Sequence, residues 1–219
     1  MTLLLGIETS SPRFGVVLGE GDTVRFDSSL HAADLPAREV AGLVRFALEH
    51  AGTSARDVGR IAVNVGPGGL GSIRAGVAFA NALAFSLGVP ICPLDHFELL
   101  GTQASRDTTL PVLCAVSAAA GQAYVGLFRD GAVEGMRFGP LAERVAEAAA
   151  GLDEVAVAGR LRGRMAALLP GTRVVDTGIE TPAPAILLPV SAAACARPGG
   201  LVEQVAPVNE QSAIFHASS

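Results

Sequence analysis

The chain has 219 residues, of which half are apolar and 17% are charged, and its net charge at pH 7 is −5. This length is enough to bury a core in one domain or in two compact halves. The net negative charge argues against a protein that binds RNA by itself, because binding to the phosphate backbone of RNA requires clustered Lys and Arg. A mean hydropathy of +0.44 is high for a soluble protein, and we expect some apolar surface to be reserved for a partner.

The start of the chain, MTLLLGIETSS, has no basic segment, and Glu8 soon interrupts its apolar run. This pattern favours a buried strand over a signal peptide, and we expect a cytoplasmic protein with no membrane segment. The three cysteines, Cys92, Cys114 and Cys195, lack the spacing of metal ligands. They are expected to be buried thiols in a reducing compartment.

Three strands and a helix are predicted first. The strands are Leu3–Thr9, Phe14–Gly19 and Thr23–Ser29. The helix is predicted with Asp34 as its N-cap, Pro36 in its first turn and Gly52 just past its end. Its sheet-facing side chains recur at helical spacing: Val40, Val44, Ala47, Leu48 and Ala51.

A second apolar group, Leu35, Gly42 and Phe46, is predicted on the opposite face of this helix. Isolated exposed apolar residues are ordinary, but a second stripe also suits a partner protein. The next helix, Ser72–Leu87, is apolar nearly all round, so it is either sandwiched inside the domain or shared with a partner. We interpret it as a buried helix that is too short to span a membrane, because Gly88 and Pro90 end it.

The segment GPGGLG joins the strand Ile61–Val65 to that apolar helix. Glycines between a strand and a helix start allow the backbone to approach a phosphate or a neighbouring strand closely. A Walker A loop is excluded, because Val77 stands where its lysine should be. The dinucleotide pattern GxGxxG is satisfied by Gly66, Gly68 and Gly71, with Asp95 at a suitable distance for a ribose ligand.

A strand at Val89–Pro93 and a helix at Phe97–Gln103 complete the first half, and SRDTT forms the junction. The second half repeats the order of three strands followed by alternating helices and strands. Its elements are Leu110–Val116, Gln122–Arg129, Val133–Phe138, Leu141–Ala150, the strand EVAVAG, Met165–Leu169, the strand TRVVD and Ala185–Ala196. We predict an α/β fold of two mixed-sheet halves, at 1–105 and 106–219, the second smaller and divergent. The segment after Arg197 is expected to be irregular and HASS to be frayed.

Several segments resemble the bacterial TsaB (YeaZ) family. GPGGLGSIRAG is similar to the family's GPGSFTGLRIG, and LLLGIETSSPRFGVVL is similar to its opening ILAIDTATEACSVAL. The resemblance is good over Leu3–Leu100, thin over Leu110–Phe128 and absent beyond. Glu8 replaces the family's Asp, Gly69 and Gly71 replace Ser and Thr, and SAAAG replaces an Asp-Ala-Arg motif. The chain would therefore be a divergent member.

The resemblance implies a duplicated actin-like ATPase (ribonuclease H-like, glycoprotease-like) fold. It implies a noncatalytic subunit that pairs with a TsaD-like catalytic subunit in making threonylcarbamoyladenosine on tRNA, touching tRNA only indirectly, and that forms a homodimer through the same helices when alone. The implied interface consists of Leu35, Gly42, Phe46, Arg74, Val77, Ala78 and Asn81.

No catalytic group, cofactor or metal is expected. The four histidines, His31, His50, His96 and His216, lack the HxxxH spacing that the catalytic relatives carry. A degraded phosphate site is expected at Glu8, Gly66, Gly68, Gly69, Gly71 and Arg74. The alternatives left open are an actin-fold kinase or ATPase acting at Glu8 and this loop, and a dinucleotide-binding protein using Asp95. A peptidase has no nucleophile or metal set in its favour.

Overall fold

The computed structural model describes residues 2–21, 23–33 and 35–208, and the chain divides into two compact units. The first unit contains the described residues up to Gly66, together with Leu70–Asp95 and Ala183–Pro207. The second contains Pro67–Gly69, His96–Pro182 and Val208. The predicted division at residue 105 differs from these bounds at two helices. One helix assigned to the first half lies in the second unit, and the last helix returns to the first.

The first unit is built on a mixed five-stranded sheet in the order β3-β2-β1-β4-β5. Its strands are β1 (Leu3–Glu8), β2 (Gly15–Glu20), β3 (Thr23–Asp27), β4 (Val58–Gly66) and β5 (Ile91–Asp95). The first three strands are antiparallel neighbours, and β4 and β5 extend the sheet in parallel from β1. Almost every side chain of β1 and β2 is buried, as expected of strands covered on both faces.

Helix α1 (Val40–His50) packs on β2, and Gly52 follows its end with a φ of 63°. The predicted start of this helix is wrong. Pro36 lies before the first turn, and the predicted cap, Asp34, lies outside the described residues. The carbonyl of Leu35 accepts from the Arg13 guanidinium, and that of Ala37 accepts from the Phe14 N–H. Because these carbonyls are taken by another segment, the helix begins only after them.

Helix α2 (Leu70–Leu87) follows β4 and packs on it through a buried face that includes Ile73, Val77 and Ala80. By length and composition it is a helix that could cross a membrane, and 28% of it is buried. The prediction of a buried helix is therefore wrong for most of its surface, and the prediction that it is too short to span is wrong as well. Its buried face lies on a sheet, which is the arrangement of a helix layer in an α/β domain.

Helix α6 (Leu187–Cys195) covers the first sheet where two strands carry glycine. A Cβ built on Gly19 would lie 2.5 Å from Cδ1 of Leu188, and one built on Gly6 would lie 3.2 Å from Cβ of Leu187. Glycine within a strand marks a close approach of this kind. The last helix is therefore part of the first core.

The chain after α6 runs back along the edge of the first sheet. Val202 exchanges two backbone hydrogen bonds with Ile91 of the edge strand β5, at 2.8 and 2.9 Å. Three residues later, the backbone N–H and carbonyl of Val205 bond to the side-chain amide of Asn81 on α2. We call Val202–Val205 the strap; it was predicted as irregular, and it protects an otherwise open strand edge.

The second unit carries a second mixed five-stranded sheet, in the order β10-β9-β6-β7-β8. Its elements are α3 (His96–Ala104), β6 (Val112–Ser117), β7 (Gln122–Arg129), β8 (Ala132–Pro140), α4 (Leu141–Ala148), β9 (Glu154–Ala158), α5 (Arg162–Ala167) and β10 (Arg173–Asp176). Alternate side chains of β6 enter two cores: Val112 and Cys114 share one with α3, and Leu113 and Ala115 share the other with α4.

The two sheets repeat one topology. Read from their antiparallel edges, the orders β3-β2-β1-β4-β5 and β8-β7-β6-β9-β10 correspond strand by strand. This confirms the predicted α/β fold with a duplicated actin-like arrangement. The second half was predicted to be the smaller one, yet its sheet has as many strands as the first.

Candidate functional site

Glu8 ends β1 in a closed network of hydrogen bonds, with 1% of its surface exposed. The strand register pairs Ile7 with Val63, so Glu8 lies beside Asn64 on the neighbouring parallel strand. The Asn64 amide donates to Oε2 of Glu8 at 2.6 Å. The Ser10 N–H donates to Oε1 at 2.6 Å, and the Ser10 hydroxyl donates to the same oxygen. Both carboxylate oxygens are therefore occupied by donors of the same chain.

Burial raises the pKa of the Glu8 carboxyl above its ordinary value, and hydrogen bonds from Asn64, Ser10 and Ser11 counteract this only in part. The orientation of the Asn64 amide is fixed, because its oxygen accepts from the Gly66 N–H at 2.9 Å. The NH₂ group therefore faces Glu8, which suits an ionised carboxylate. A cation would have to displace these donors. We therefore interpret Glu8 as a structural residue whose hydrogen bonds hold the ends of β1 and β4 together.

The glycine loop places its residues in different surroundings. Gly66 has a φ of 103°, a left-handed conformation that favours glycine. Gly68 is half-buried, whereas Gly69 and Gly71 are exposed, and a Cβ at Gly71 would have no neighbour within 4 Å. Arg74 is exposed in the first turns of α2. Of the predicted phosphate-site residues, only Glu8 and Gly66 take part in the described hydrogen-bond network.

Asp95 ends β5, and β4, α2 and β5 form a βαβ unit with parallel strands. This is the context that the dinucleotide pattern needs, so topology alone does not separate a nucleotide site from a structural loop.

A thermal-shift assay separates these two interpretations. We expect Mg-ATP at millimolar concentration to leave the melting temperature unchanged, because the Glu8 carboxylate that would hold its metal ion is already occupied. NAD, measured beside it, tests the dinucleotide pattern with Asp95. A ligand at a hundred times its Kd would stabilise the protein by about 2.7 kcal/mol, or roughly 5–10 °C for a chain of this size. A rise of that size with either nucleotide, lost in Gly69→Asp, would establish binding at the loop.

Helix α2 presents an open face opposite its buried one. Its exposed residues recur along the helix every three or four positions after the first: Leu70, Gly71, Arg74, Ala75, Ala78, Ala82, Phe85 and Ser86. Phe85 is 91% exposed, and Arg74 is the one charged residue of this open face. An apolar helix face that no described residue of the chain covers is typical of a protein interface.

Two of the predicted interface residues, Arg74 and Ala78, lie on this open face. Val77 is 3% exposed and belongs to the sheet-facing side of α2. Asn81 is half-buried and bound to the strap. Neither Val77 nor Asn81 is available to a partner in this conformation.

The predicted second stripe on α1 is wrong. Leu35 is buried and lies outside the helix, and Gly42 is buried, with the Glu39 carboxylate where a side chain would project. Phe46 is half-buried and packs in an aromatic cluster, 5.9 Å from the Phe26 ring and 6.0 Å from that of His50. The continuous apolar surface is therefore on α2.

Comparison with known proteins identifies the family. A family model described as TsaD, tRNA N6-adenosine threonylcarbamoyltransferase, matches residues 31–161. A curated tRNA N6-adenosine threonylcarbamoyltransferase from Solidesulfovibrio magneticus is 34% identical over 128 residues, which cover 51% of this chain and 34% of that relative. The chain thus spans about a third of the length of that curated relative.

Two solved structures from Pseudomonas aeruginosa match over nearly the whole chain. A protein described as uncharacterized with similarity to peptidase YeaZ superposes with a TM-score of 0.77 at 26% identity, covering 95% of this chain and 99% of that one. YeaZ itself superposes with a TM-score of 0.75 at 24% identity, covering 95% and 100%. The resemblance to the TsaB (YeaZ) family is thereby confirmed. Since the family model matches more than half of the sequence, the chain belongs to the TsaD family of tRNA N6-adenosine threonylcarbamoyltransferases, as a divergent member with the fold of YeaZ.

Proposed function

We propose that this protein is a noncatalytic subunit in the formation of threonylcarbamoyladenosine on tRNA. In this role it pairs through the open face of α2 with a TsaD-like catalytic subunit, which transfers the threonylcarbamoyl group. The observation that carries the proposal is the exposed apolar stripe from Ala75 to Phe85 on a chain of this family. It acts in the cytoplasm, and its contact with tRNA is indirect.

The chemistry of the chain supports a partner rather than a catalyst. Its sequence has no HxxxH pair, and no group of three metal-ligating side chains occurs among the described residues. The buried Glu8 is held by Asn64 and Ser10, so a metal ion would reach its carboxylate only by displacing one of these donors. The match to a catalytic relative extends over about a third of that protein.

The open face also suits self-association. Alanines at 75, 78 and 82 leave room for the backbone of another helix to approach closely, and Phe85 supplies a large apolar anchor. We propose that two copies pair through this face when the catalytic subunit is absent, and that the two associations compete for one surface.

The test is a pull-down of the tagged protein with the TsaD-like subunit of its own source. Ala78→Asp is expected to lower binding at least tenfold, because it places an unpaired carboxylate at the centre of an apolar contact. Phe85→Ala is expected to weaken binding through loss of the anchor side chain. Ala78 is exposed, so folding of the free protein should not change.

Ala146→Asp is the matched control, since Ala146 is an exposed helical alanine of α4 in the second unit. It should bind as wild type does. In sedimentation experiments Ala78→Asp should also abolish any homodimer of the free protein. Equal binding by wild type, Ala78→Asp and Phe85→Ala would place the interface elsewhere, and failure of wild type to bind at any salt concentration would remove the proposed partnership.

A further inference from the structure

Two of the three cysteines meet in the first unit. Cys92 is a fully buried residue of β5, and Cys195 is the half-buried last residue of α6. The two thiols lie near enough to interact with each other. The Sγ of Cys92 also lies 3.9 Å from the backbone oxygen of Ser191, one helical turn before Cys195. Cys92 therefore faces the side of α6 that carries Cys195.

The two thiols differ in their surroundings. Burial, and next the hydrogen bond with Cys195, raise the pKa of the Cys92 thiol to about 12, although Arg60 and Arg197 lie close enough to oppose the shift. Cys92 therefore stays protonated, with no surface exposed to solvent. Cys195 is the member of the pair that an oxidant in solution can reach.

We propose that Cys92 and Cys195 form an intramolecular disulfide when the protein meets a hydroperoxide, so that the pair is an oxidation-sensitive modification site. This inference does not depend on the proposed function. Sequence spacing could not indicate it, because the two residues come from distant strand and helix segments. In a reducing compartment such a bond is formed transiently and then reduced again.

The reaction balances with hydrogen peroxide as the oxidant. The Cys195 thiol first releases its proton, and its sulfur attacks one peroxide oxygen. The O–O bond breaks, and the leaving hydroxide takes up the released proton as water. The sulfur of Cys92 then attacks the sulfur of the resulting sulfenic acid. The S–S bond forms as the S–O bond breaks, and the hydroxyl group leaves with the Cys92 proton as a second water. Two thiols are oxidised and one peroxide is reduced.

The bond would join β5 covalently to the end of α6, just before the strap that pairs with Ile91. It would close a loop that contains the whole second sheet, and long closed loops restrict the unfolded chain most. We therefore expect the oxidised protein to melt several degrees higher than the reduced one.

The test uses the full folded chain, treated with hydrogen peroxide at a few molar equivalents. After alkylation of the remaining thiols under denaturing conditions, the wild type should carry one alkyl group, whereas the untreated protein carries three. Peptide mapping should recover a cross-linked pair containing Cys92 and Cys195. Dithiothreitol should restore three reactive thiols.

Cys114→Ala is the matched control, because Cys114 is a buried thiol of the second unit, packed 3.8 Å from the backbone oxygen of Val112. It should still form the cross-link. Cys195→Ser should abolish the cross-link, and because Cys195 is half-buried this variant should still fold. It therefore tests the proposal even if the fully buried change Cys92→Ala prevents folding. Three alkylated thiols after peroxide, a disulfide between two chains, or Cys195 oxidised to the sulfinic acid without a cross-link would each overturn the proposal.

Discussion

Replacing Asn64 by aspartate is expected to make the stability of the protein fall steeply as pH rises. The change keeps the shape of the side chain but places a second buried carboxylate where an amide now lies 2.6 Å from Glu8. Two carboxylates so close cannot both ionise, so the folded protein keeps one proton that the unfolded chain releases. While that proton is held, the free energy of unfolding falls by about 1.4 kcal/mol per pH unit. Urea denaturation between about pH 5 and pH 8 measures this slope.

In the wild type, the ionisation of Glu8 should change the free energy of unfolding with pH in the same direction. The folded-state pKa of Glu8 is raised, so its contribution to stability is complete below the unfolded pKa and is lost as pH rises through the folded pKa. The Asn64→Asp variant should extend this loss to higher pH, reaching about 4 kcal/mol over three pH units. The difference between variant and wild type must therefore grow with pH.

The double change Glu8→Gln with Asn64→Asp is the matched control, because it exchanges the two groups without changing their shapes. The new glutamine amide donates to the new carboxylate, which still accepts from the Gly66 N–H, and the glutamine oxygen still accepts from Ser10. Most of the lost stability should return, and the added pH slope should disappear. A single variant with a flat pH dependence would show that these two side chains do not interact as described.

A methyl group added at Gly101 of α3 is expected to destabilise the protein by about 3 kcal/mol, at the upper end of the cost of overpacking. The new Cβ would overlap Cγ of Phe128 and lie 2.5 Å from both its Cβ and its Cδ1. Rotation of the ring cannot relieve this, because the Phe128 Cβ is fixed to the backbone of β7. Thermal denaturation of Gly101→Ala should show a midpoint roughly 6–12 °C lower than wild type.

Gly163→Ala is the control for that change, since Gly163 is also a helical glycine of the second unit but is exposed, and an alanine Cβ at this position would have no neighbour within 4 Å. It should raise stability by about 0.5–1 kcal/mol, because alanine is the better helix former. Equal midpoints for the two variants would mean that α3 does not approach β7 as closely as described.

The hydrophobic pattern predicted the ten strands and six α-helices of the described chain, although not all of their bounds. It could not predict which sheet the last helix covers, since LLPVSAAAC is apolar on all sides. The sequence did indicate which strands the last helix covers, because Gly6 and Gly19 stand among the bulky side chains of β1 and β2. A glycine inside a buried strand indicates an element packed closely above it.

Of the interface residues predicted on α2, Arg74 and Ala78 lie on its open face, whereas Val77 and Asn81 do not. Alanines occur on both sides of α2, Ala78 exposed and Ala80 buried, so composition alone could not orient the helix. Phe85 was missed because it was counted with the rest of the apolar helix. Leu35 was misplaced because the sequence does not show that Arg13 takes its carbonyl. The hydrogen bond between Glu8 and Asn64 was also missed, because these residues lie far apart in the chain.

The discontinuity of the first unit has a consequence for synthesis on the ribosome. Its sheet is complete once Asp95 has emerged, but α6, which covers Gly6 and Gly19, is translated only after the whole second sheet. The second unit is contiguous from His96 to Pro182 and can fold as it emerges. The nascent chain must therefore hold an uncovered apolar sheet through the synthesis of almost ninety residues, the interval in which chaperone binding is most needed.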